Sequence, residues 1–286
     1  MTQSIPAPLA AAGADRSAAP RVAVLGLGEA GGRIATDLST RVRITGYDPL
    51  WLPTLAGEAA GAVGAKATAA EAVRGAQIVL AVTVAADAPA ALASVVGQVP
   101  AGTLYVDAST SSPAAKRALA QTAGEAGLRF VDAVLMAPVY QRGAATPVLA
   151  AGPAAGDLAA TLGPYGMAIT PVSDQPGDAA ARKLLRSVLV KGLSALLIEG
   201  QRTAEQAGLG EWYWAHVEET LAEADGELAR RLVIGSRDHG IRRVHEMAAA
   251  AQMVAELGEA PTMTEATRAV LDSVAVRGLP EIAADW

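Results

Sequence analysis

The chain has 286 residues, of which 51% are hydrophobic and 18% charged, with a net charge of −6 and a pI near 5.2. That is material for one large domain or two ordinary ones, and it excludes the clustered Lys and Arg of a nucleic-acid footprint. Cys is absent, which excludes disulfides and thiolate metal sites, and His216, His239 and His245 show no metal-ligand spacing, so no metal is expected. Residues 1–20 are rich in Ala and Pro with no basic segment ahead of their apolar residues, and read as a disordered tail rather than a signal peptide. No stretch reaches the roughly 18–20 consecutive apolar residues of a membrane span. A cytoplasmic protein with a small-molecule substrate, and neither nucleic acid nor membrane as partner, is the expectation.

In chain order, short apolar runs alternate with amphipathic segments. Strands are predicted over residues 22–25, 42–47, 77–83, 103–107, 128–134, 147–151 and 167–172, with helices at 29–39, 86–96, 113–124 and 157–162 among them. This βαβ rhythm implies a mainly parallel sheet with helices on both faces. It stops near residues 171–178. A long helix follows over about 177–207, on which Leu184, Leu185, Val188, Leu189, Leu193, Leu196 and Leu197 form a broad apolar surface. Three or four more helices come next, interrupted at Gly210, Gly235, 258–261 and Gly278. The fold class is α/β: a Rossmann-type dinucleotide-binding domain at 21–174, followed by an all-helical substrate and dimerisation domain at 175–286.

The first chemistry lies in RVAVLGLGEAGGRIATDL, residues 21–38. An apolar strand runs into Gly26, Gly28 and Gly31, spaced G-x-G-x-x-G, and then into Ile34, Ala35 and Leu38 at helical spacing. Strand, glycine turn and helix in this order cradle a dinucleotide pyrophosphate, because glycines allow close backbone approach and a helix start presents unpaired N–H groups. Gly26, Leu27, Gly28, Glu29, Ala30 and Gly31 are therefore the expected cradle. Asp48 lies 22 residues after Gly26, where a carboxylate takes both ribose hydroxyls of NAD and repels the 2′-phosphate of NADP. NAD is expected in preference to NADP, although Asp48 before Pro49 also suits a plain turn. Thr83, closing the third strand, joins the cofactor set. Ser109 and Thr110, beyond the strand at 103–107, offer donors to an anionic group at the sheet edge where open α/β sheets bind ligands. They equally suit capping of the helix near Pro113.

The segment GLGEAGGRIATDL resembles the N-terminal fingerprint of the β-hydroxyacid dehydrogenases, the relatives of 6-phosphogluconate dehydrogenase and 3-hydroxyisobutyrate dehydrogenase. DASTSSP (107–113) resembles that family's D-x-S-T-x-x-P, and FVDAVLMAP (130–138) lies where it has the D-A-P-V-S-G-G substrate loop, sharing the Asp132–Ala133 part. GDAAARKLLRS (177–187) resembles G-x-G-x-x-x-K-x-x-x-N. The resemblance implies an NAD(P)-dependent oxidoreductase acting on CH–OH groups, moving hydride between nicotinamide and a small, anionic β-hydroxyacid, with Lys183 as the general acid–base. Two positions depart from the pattern: Met136 replaces the serine of the substrate loop, and Ser187 replaces the asparagine one turn beyond the lysine. Both fall in the expected substrate-binding set with Ser109, Thr110 and Arg186, whose guanidinium suits bidentate clamping of a carboxylate or phosphate. By spacing alone, Lys183 and Arg186 are charges on the solvated face of a long helix.

The run KLLRSVLVKGLSALLIE (183–199) is similar to a subgroup whose C-terminal domain is known as DUF1932. In related dimers the helical domain of one subunit approaches the active site of the other, which implies a homodimer and makes Arg243 a candidate contact. Two alternatives remain. One is an imine reductase, an architecture that commonly has Asp or Tyr at the lysine position; the other is an NAD(H)-binding protein without catalysis.

Overall fold

The computed structural model describes residues 18–50 and 63–278, so the predicted tail lies outside it apart from residues 18–20. Seven strands form one sheet: β1 (Arg21–Leu25), β2 (Arg43–Tyr47), β3 (Ile78–Ala81), β4 (Leu104–Asp107), β5 (Arg129–Leu135), β6 (Val148–Ala151) and β7 (Ile169–Ser173). Their order is β2-β1-β3-β4-β5-β6-β7. With them run α1 (Glu29–Ser39), α2 (Ala69–Val73), α3 (Ala88–Ala93), α4 (Pro113–Glu125), α5 (Val139–Arg142), α6 (Ala155–Leu162) and α7 (Asp178–Gln206). The helices α8 (Gly210–Ala222), α9 (Gly226–Asp238), α10 (Gly240–Glu256) and α11 (Thr262–Arg277) complete the described chain. The predicted helix at 86–96 is split between a 3-10 turn, Ala85–Asp87, and α3. The one-turn helices α2 and α5 are too short for a periodic signal.

β1 to β5 pair in parallel, β5 and β6 antiparallel, and β6 and β7 in parallel. A lone parallel bridge from Gly46 to Ala65 extends the sheet beyond β2. The reversal at β6 has a simple cause. Residues 136–147 hold only α5 and a 3-10 turn, whereas a parallel return needs a full crossover helix. The sheet is therefore a Rossmann-type, mainly parallel one. Its strands are buried on both sides, and alternate residues feed two cores. Val22, Val24, Leu80 and Val106 pack with Ile34, Leu38, Leu158 and Leu162 of α1 and α6 on one face. Ala23, Leu25, Val79 and Tyr105 pack with Val73, Leu92 and Leu119 of α2, α3 and α4 on the other. Each fully buried Leu or Ile contributes about 1.5–3 kcal/mol.

Two compact units divide the chain, residues 1–186 and 187–286. The division falls within α7. In the second unit, Gly235 lies inside α9 and the break comes at His239 instead. The reason is local: a Cβ at Gly235 would meet the Arg243 guanidinium, whose Nη1 donates to Leu232 O at 3.2 Å and Ser236 Oγ at 2.9 Å. Arg243 thus ties α10 to α9, a structural use for a residue that the family resemblance offers as a substrate contact.

Glu199 of α7 caps α11 from a distance, accepting from Met263 N at 2.6 Å and from Thr264 N and Oγ1 at 2.9 and 2.6 Å. Burial pushes its carboxyl up, but the bonds from the Thr264 side chain and from the N–H groups of Met263, Thr264 and Thr262 outweigh it and hold it below the usual carboxylate range. A folded-state value below the unfolded one gives stability that is full above the ordinary Glu range and lost as pH falls through the lowered value. Glu199→Gln is therefore expected to lower the urea midpoint at neutral pH. The gap to wild type should narrow as the pH is taken from about 5 to about 3. A gap independent of pH would refute this.

Candidate active site

The parallel register lines up Leu25, Ala81, Asp107 and Asp132 across β1, β3, β4 and β5. Beyond these positions β1, β3 and β4 end at the same edge, in Gly26, then Thr83, then Ser109 and Thr110, while β5 runs on to Leu135. Three interstrand steps, about 14 Å, separate the first strand end from the last.

At β1 the chain turns through Gly26, whose φ is +90° and whose Cβ would collide with Val82 O. A Cβ at Gly31 would collide with Gly26 O, so the turn and the helix behind it close only on glycine. α1 then buries Gly31, Ile34, Ala35 and Leu38 as one stripe, which fixes its start against the sheet. Gly28 is its N-cap and gives it no side-chain cap, and a Cβ there would meet no atom within 4 Å. The first N–H groups of α1 therefore face outward past bare backbone. Leu27 and Ala30 pack on the core, and Glu29 is exposed.

Asp48 holds this turn. Its Oδ2 accepts from Leu27 N at 2.7 Å and its Oδ1 from Leu50 N at 2.8 Å. Both the turn-forming role and the position at the end of β2 are therefore real. Each carboxylate oxygen keeps a second lone pair for a ribose hydroxyl. Thr83 stands beside Gly26, and its Oγ1 is buried with no partner among the described residues. Uncapped helix start, irreplaceable glycines and an orphaned hydroxyl fit the pyrophosphate and ribose of a dinucleotide.

Next along the edge lies a buried ionic cluster. Lys116, Asp107 and Asp132 have no solvent-exposed side-chain surface. Lys116 Nζ meets Asp107 Oδ2 at 2.8 Å and Asp132 Oδ1 at 3.2 Å, and donates to Asp107 O at 2.7 Å and Ala133 O at 3.3 Å. Asp132 Oδ1 accepts no hydrogen bond among the described residues and has only this ion pair, while Asp132 Oδ2 accepts from Gly177 N at 3.0 Å and Ala180 N at 3.1 Å. Ser109 Oγ donates to Asp107 Oδ2 at 2.8 Å and accepts from Ser111 Oγ at 2.7 Å. The Ser109 hydroxyl is thus held inside the protein, and Thr110 is the member of the pair that is exposed. Burial first, and the Asp107 charge second, push the neighbouring Tyr105 phenol up.

At the end of β5, Lys183 Nζ donates to Leu135 O at 2.8 Å from a half-buried position. Met136 packs with Val134, Ala151, Ala179 and Ala180. Arg186 is exposed one turn beyond Lys183, and Ser187 next to it is half-buried. The residues that sequence reasoning missed are Lys116 and the pairing of Asp107 with Asp132. The signal was there: Lys116, Leu119 and Ala123 form the buried stripe of α4, so a lysine occupies a core position. Among the described residues no group of three or more acidic or His side chains is able to hold a metal, and no helix is long and apolar enough to cross a membrane.

Residues 21–154 match the NAD binding domain of 6-phosphogluconate dehydrogenase, and residues 204–274 match the domain of unknown function DUF1932. A conserved hypothetical protein from Sinorhizobium meliloti 1021 is similar at 30% identity and a TM-score of 0.61, covering 93% of each chain. The conserved protein MTH1747, of unknown function and described as similar in structure to 3-hydroxyacid dehydrogenases, aligns at 28% identity and a TM-score of 0.59, covering 91% of this chain and 100% of that one. An imine reductase from Myxococcus stipitatus in complex with NADP+ shares the fold at a TM-score of 0.76 and 19% identity, covering 91% and 96%, and a variant of it was solved with NAD+. An uncharacterized 28.5 kDa protein of Methanothermus fervidus is 27% identical over 165 residues, which span 58% of this chain and 63% of that protein. The chain thus carries an NAD binding domain of the 6-phosphogluconate dehydrogenase type followed by a DUF1932 domain.

Proposed function

We propose that this chain is an NAD(H)-dependent dehydrogenase of small, anionic β-hydroxyacids in which Lys183 is the general acid–base. The observation that carries the reading is the Lys183 ammonium on Leu135 O, at the sheet edge that also bears the glycine turn. The backbone of residues 26–31 and the start of α1 would hold the pyrophosphate, with Asp48 and Thr83 at the sugars. When bound, the nicotinamide supplies the hydride donor or acceptor. The remaining work falls to side chains. Lys183 Nζ gives its proton to a carbonyl oxygen being reduced, or as the amine takes one from a hydroxyl being oxidised. Leu135 O orients that nitrogen. Arg186 and Thr110, both exposed, offer charge and a hydroxyl to the anionic end of a substrate.

A panel of β-hydroxyacids and their phosphorylated forms, followed by NADH absorbance, tests this reading. Cyclic imines belong in the same panel: turnover of imines alone would replace it with the imine reductase reading, against which Lys183 counts. Binding of NADH with no turnover of any compound would replace it with the non-catalytic one.

The preference for NAD(H) rests on Asp48, since a carboxylate facing a 2′-phosphate costs at least about tenfold in affinity. Fluorescence titration is expected to give tighter binding of NADH than of NADPH; the reverse order would overturn it. A homodimer is supported by apolar side chains that the chain leaves open, among them Val188 at 73% exposure, Leu189 at 71% and Trp212 at 63%. Surfaces of this kind are covered by a second copy in symmetric oligomers. Light scattering at micromolar concentration should give twice 28.8 kDa, and a monomer mass would refute it.

A further inference from the structure

We infer that Asp132 is the positioning residue for Lys183, an inference that rests on the reading of Lys183 as the acid–base group. The segment 132–135 of β5 grips α7 twice. At one end Asp132 Oδ2 takes Gly177 N, just before the helix, and Ala180 N in its first turn; at the other, Leu135 O takes Lys183 Nζ. Ala180 and Lys183 are one turn apart, so the same strand fixes both the start of the helix and the lysine that it carries. The first turn is thereby registered to the sheet, across 45 and 48 residues of sequence, as well as to the preceding loop through Asp178 N on Gln175 O at 3.3 Å. Caps at α2, α4 and α9 are local: Thr68, Ser112 and Asp225 each bond an N–H three residues on.

The grip is rigid because Asp132 is itself held. Its Oδ1 meets Lys116, and Lys116 is fixed by Asp107 Oδ2, Asp107 O and Ala133 O, all on β4 and β5. A carboxylate is required for this, since the two oxygens serve different partners. Removing Asp132 frees the first turn of α7 and lets Lys183 leave Leu135 O. A displacement of about 1 Å at a proton-transfer group costs on the order of 10²-fold in rate.

The sequence provides its own probes. The chain has only four lysines: Lys66, Lys116, Lys183 and Lys191. Lys66 and Lys191 are exposed, Lys116 is fully buried and Lys183 is half-buried. Competitive labelling of the full chain with acetic anhydride, read by peptide mass spectrometry, therefore carries internal standards. In wild type, Lys183 should label more slowly than Lys191, and Lys116 not at all. In Asp132→Ala, Lys183 labelling is expected to rise about tenfold, to the rate of Lys191, the scale on which one charge-assisted hydrogen bond acts. Leu158→Ala, which hollows the opposite core face, controls for a mere loss of stability and should leave the Lys183 rate unchanged.

Should Asp132→Ala also expose Lys116 to the reagent, which reports unfolding, Asp132→Asn carries the same test, because it keeps one acceptor oxygen but loses its charge toward Lys116. A Lys183 rate within about twofold of wild type in a folded Asp132 variant would overturn the inference, since it leaves the hydrogen bond in place. So would an equal rise in Leu158→Ala. Where a substrate is in hand, the Asp132 variants should lose kcat with KM and NADH affinity unchanged. If Lys183→Ala itself turns over normally, the catalytic reading fails while the labelling result still decides the positioning.

Discussion

Lys183→Ala is expected to lower kcat by about 10²–10⁴-fold, the range over which a positioned proton donor or acceptor acts. NADH affinity should be unchanged, because the glycine turn, Asp48 and Thr83 follow the ends of β1, β2 and β3 and lose no contact. The folded state should survive as well. Lys183 is only half-buried, and it donates to a strand-end carbonyl that solvent is able to reach when the amine is gone. Arg186→Ala separates binding from chemistry. A guanidinium that clamps the substrate's anionic group equally in ground and transition states affects KM and spares kcat. Losing such a charge-assisted contact raises KM by about 10- to 150-fold. Steady-state kinetics on variants shown to be folded by circular dichroism check both. Full activity in Lys183→Ala would remove the proposed mechanism; an unchanged KM in Arg186→Ala would return Arg186 to the solvated face of its helix.

Much of this arrangement is legible from local pattern. VAVL, IVLA and LYV are continuous apolar runs because parallel strands are covered on both faces, and Ile34, Ala35 and Leu38 repeat at helical spacing because α1 lies on one of them. Gly26 and Gly31 obey the same geometry, since backbone meets backbone there with no room for a Cβ. Gly235 misleads for an equally physical reason: a glycine that admits an arginine from the next helix has the same letter as one that ends a helix. The antiparallel return of β6 depends on connection length, which is visible only once the strand ends are known. Least legible is the joining of distant segments. Asp107, Lys116, Asp132 and the start of α7 come from four places in the chain, and no periodicity links them. Asp48 stands between these cases, its position read from spacing and its bond to Leu27 N seen only in the fold.

The second large effect is expected at Lys116. Two carboxylates and one ammonium are wholly buried here, and the helix start at Gly177 and Ala180 donates to the carboxylate that carries the excess negative charge. Lys116→Met keeps the volume of the side chain and removes the cation. Asp107 and Asp132 are then left facing each other without water, and breaking a buried pair from one side costs about 3–5 kcal/mol. Against a typical domain stability of about 5–15 kcal/mol, that is a large share of what holds the first unit together. Urea unfolding at neutral pH should show it as a lower midpoint. Neutralising the whole cluster makes the decisive comparison. Lys116→Met combined with Asp107→Asn and Asp132→Asn leaves no buried charge, so the triple variant should be more stable than Lys116→Met alone, because the cost lies in the unpaired charges and not in the lost lysine. If the triple variant is instead the less stable protein, the hydrogen bonds of these carboxylates to Ser109, Gly177 and Ala180 outweigh their electrostatic burden, and the ionic account of the cluster fails.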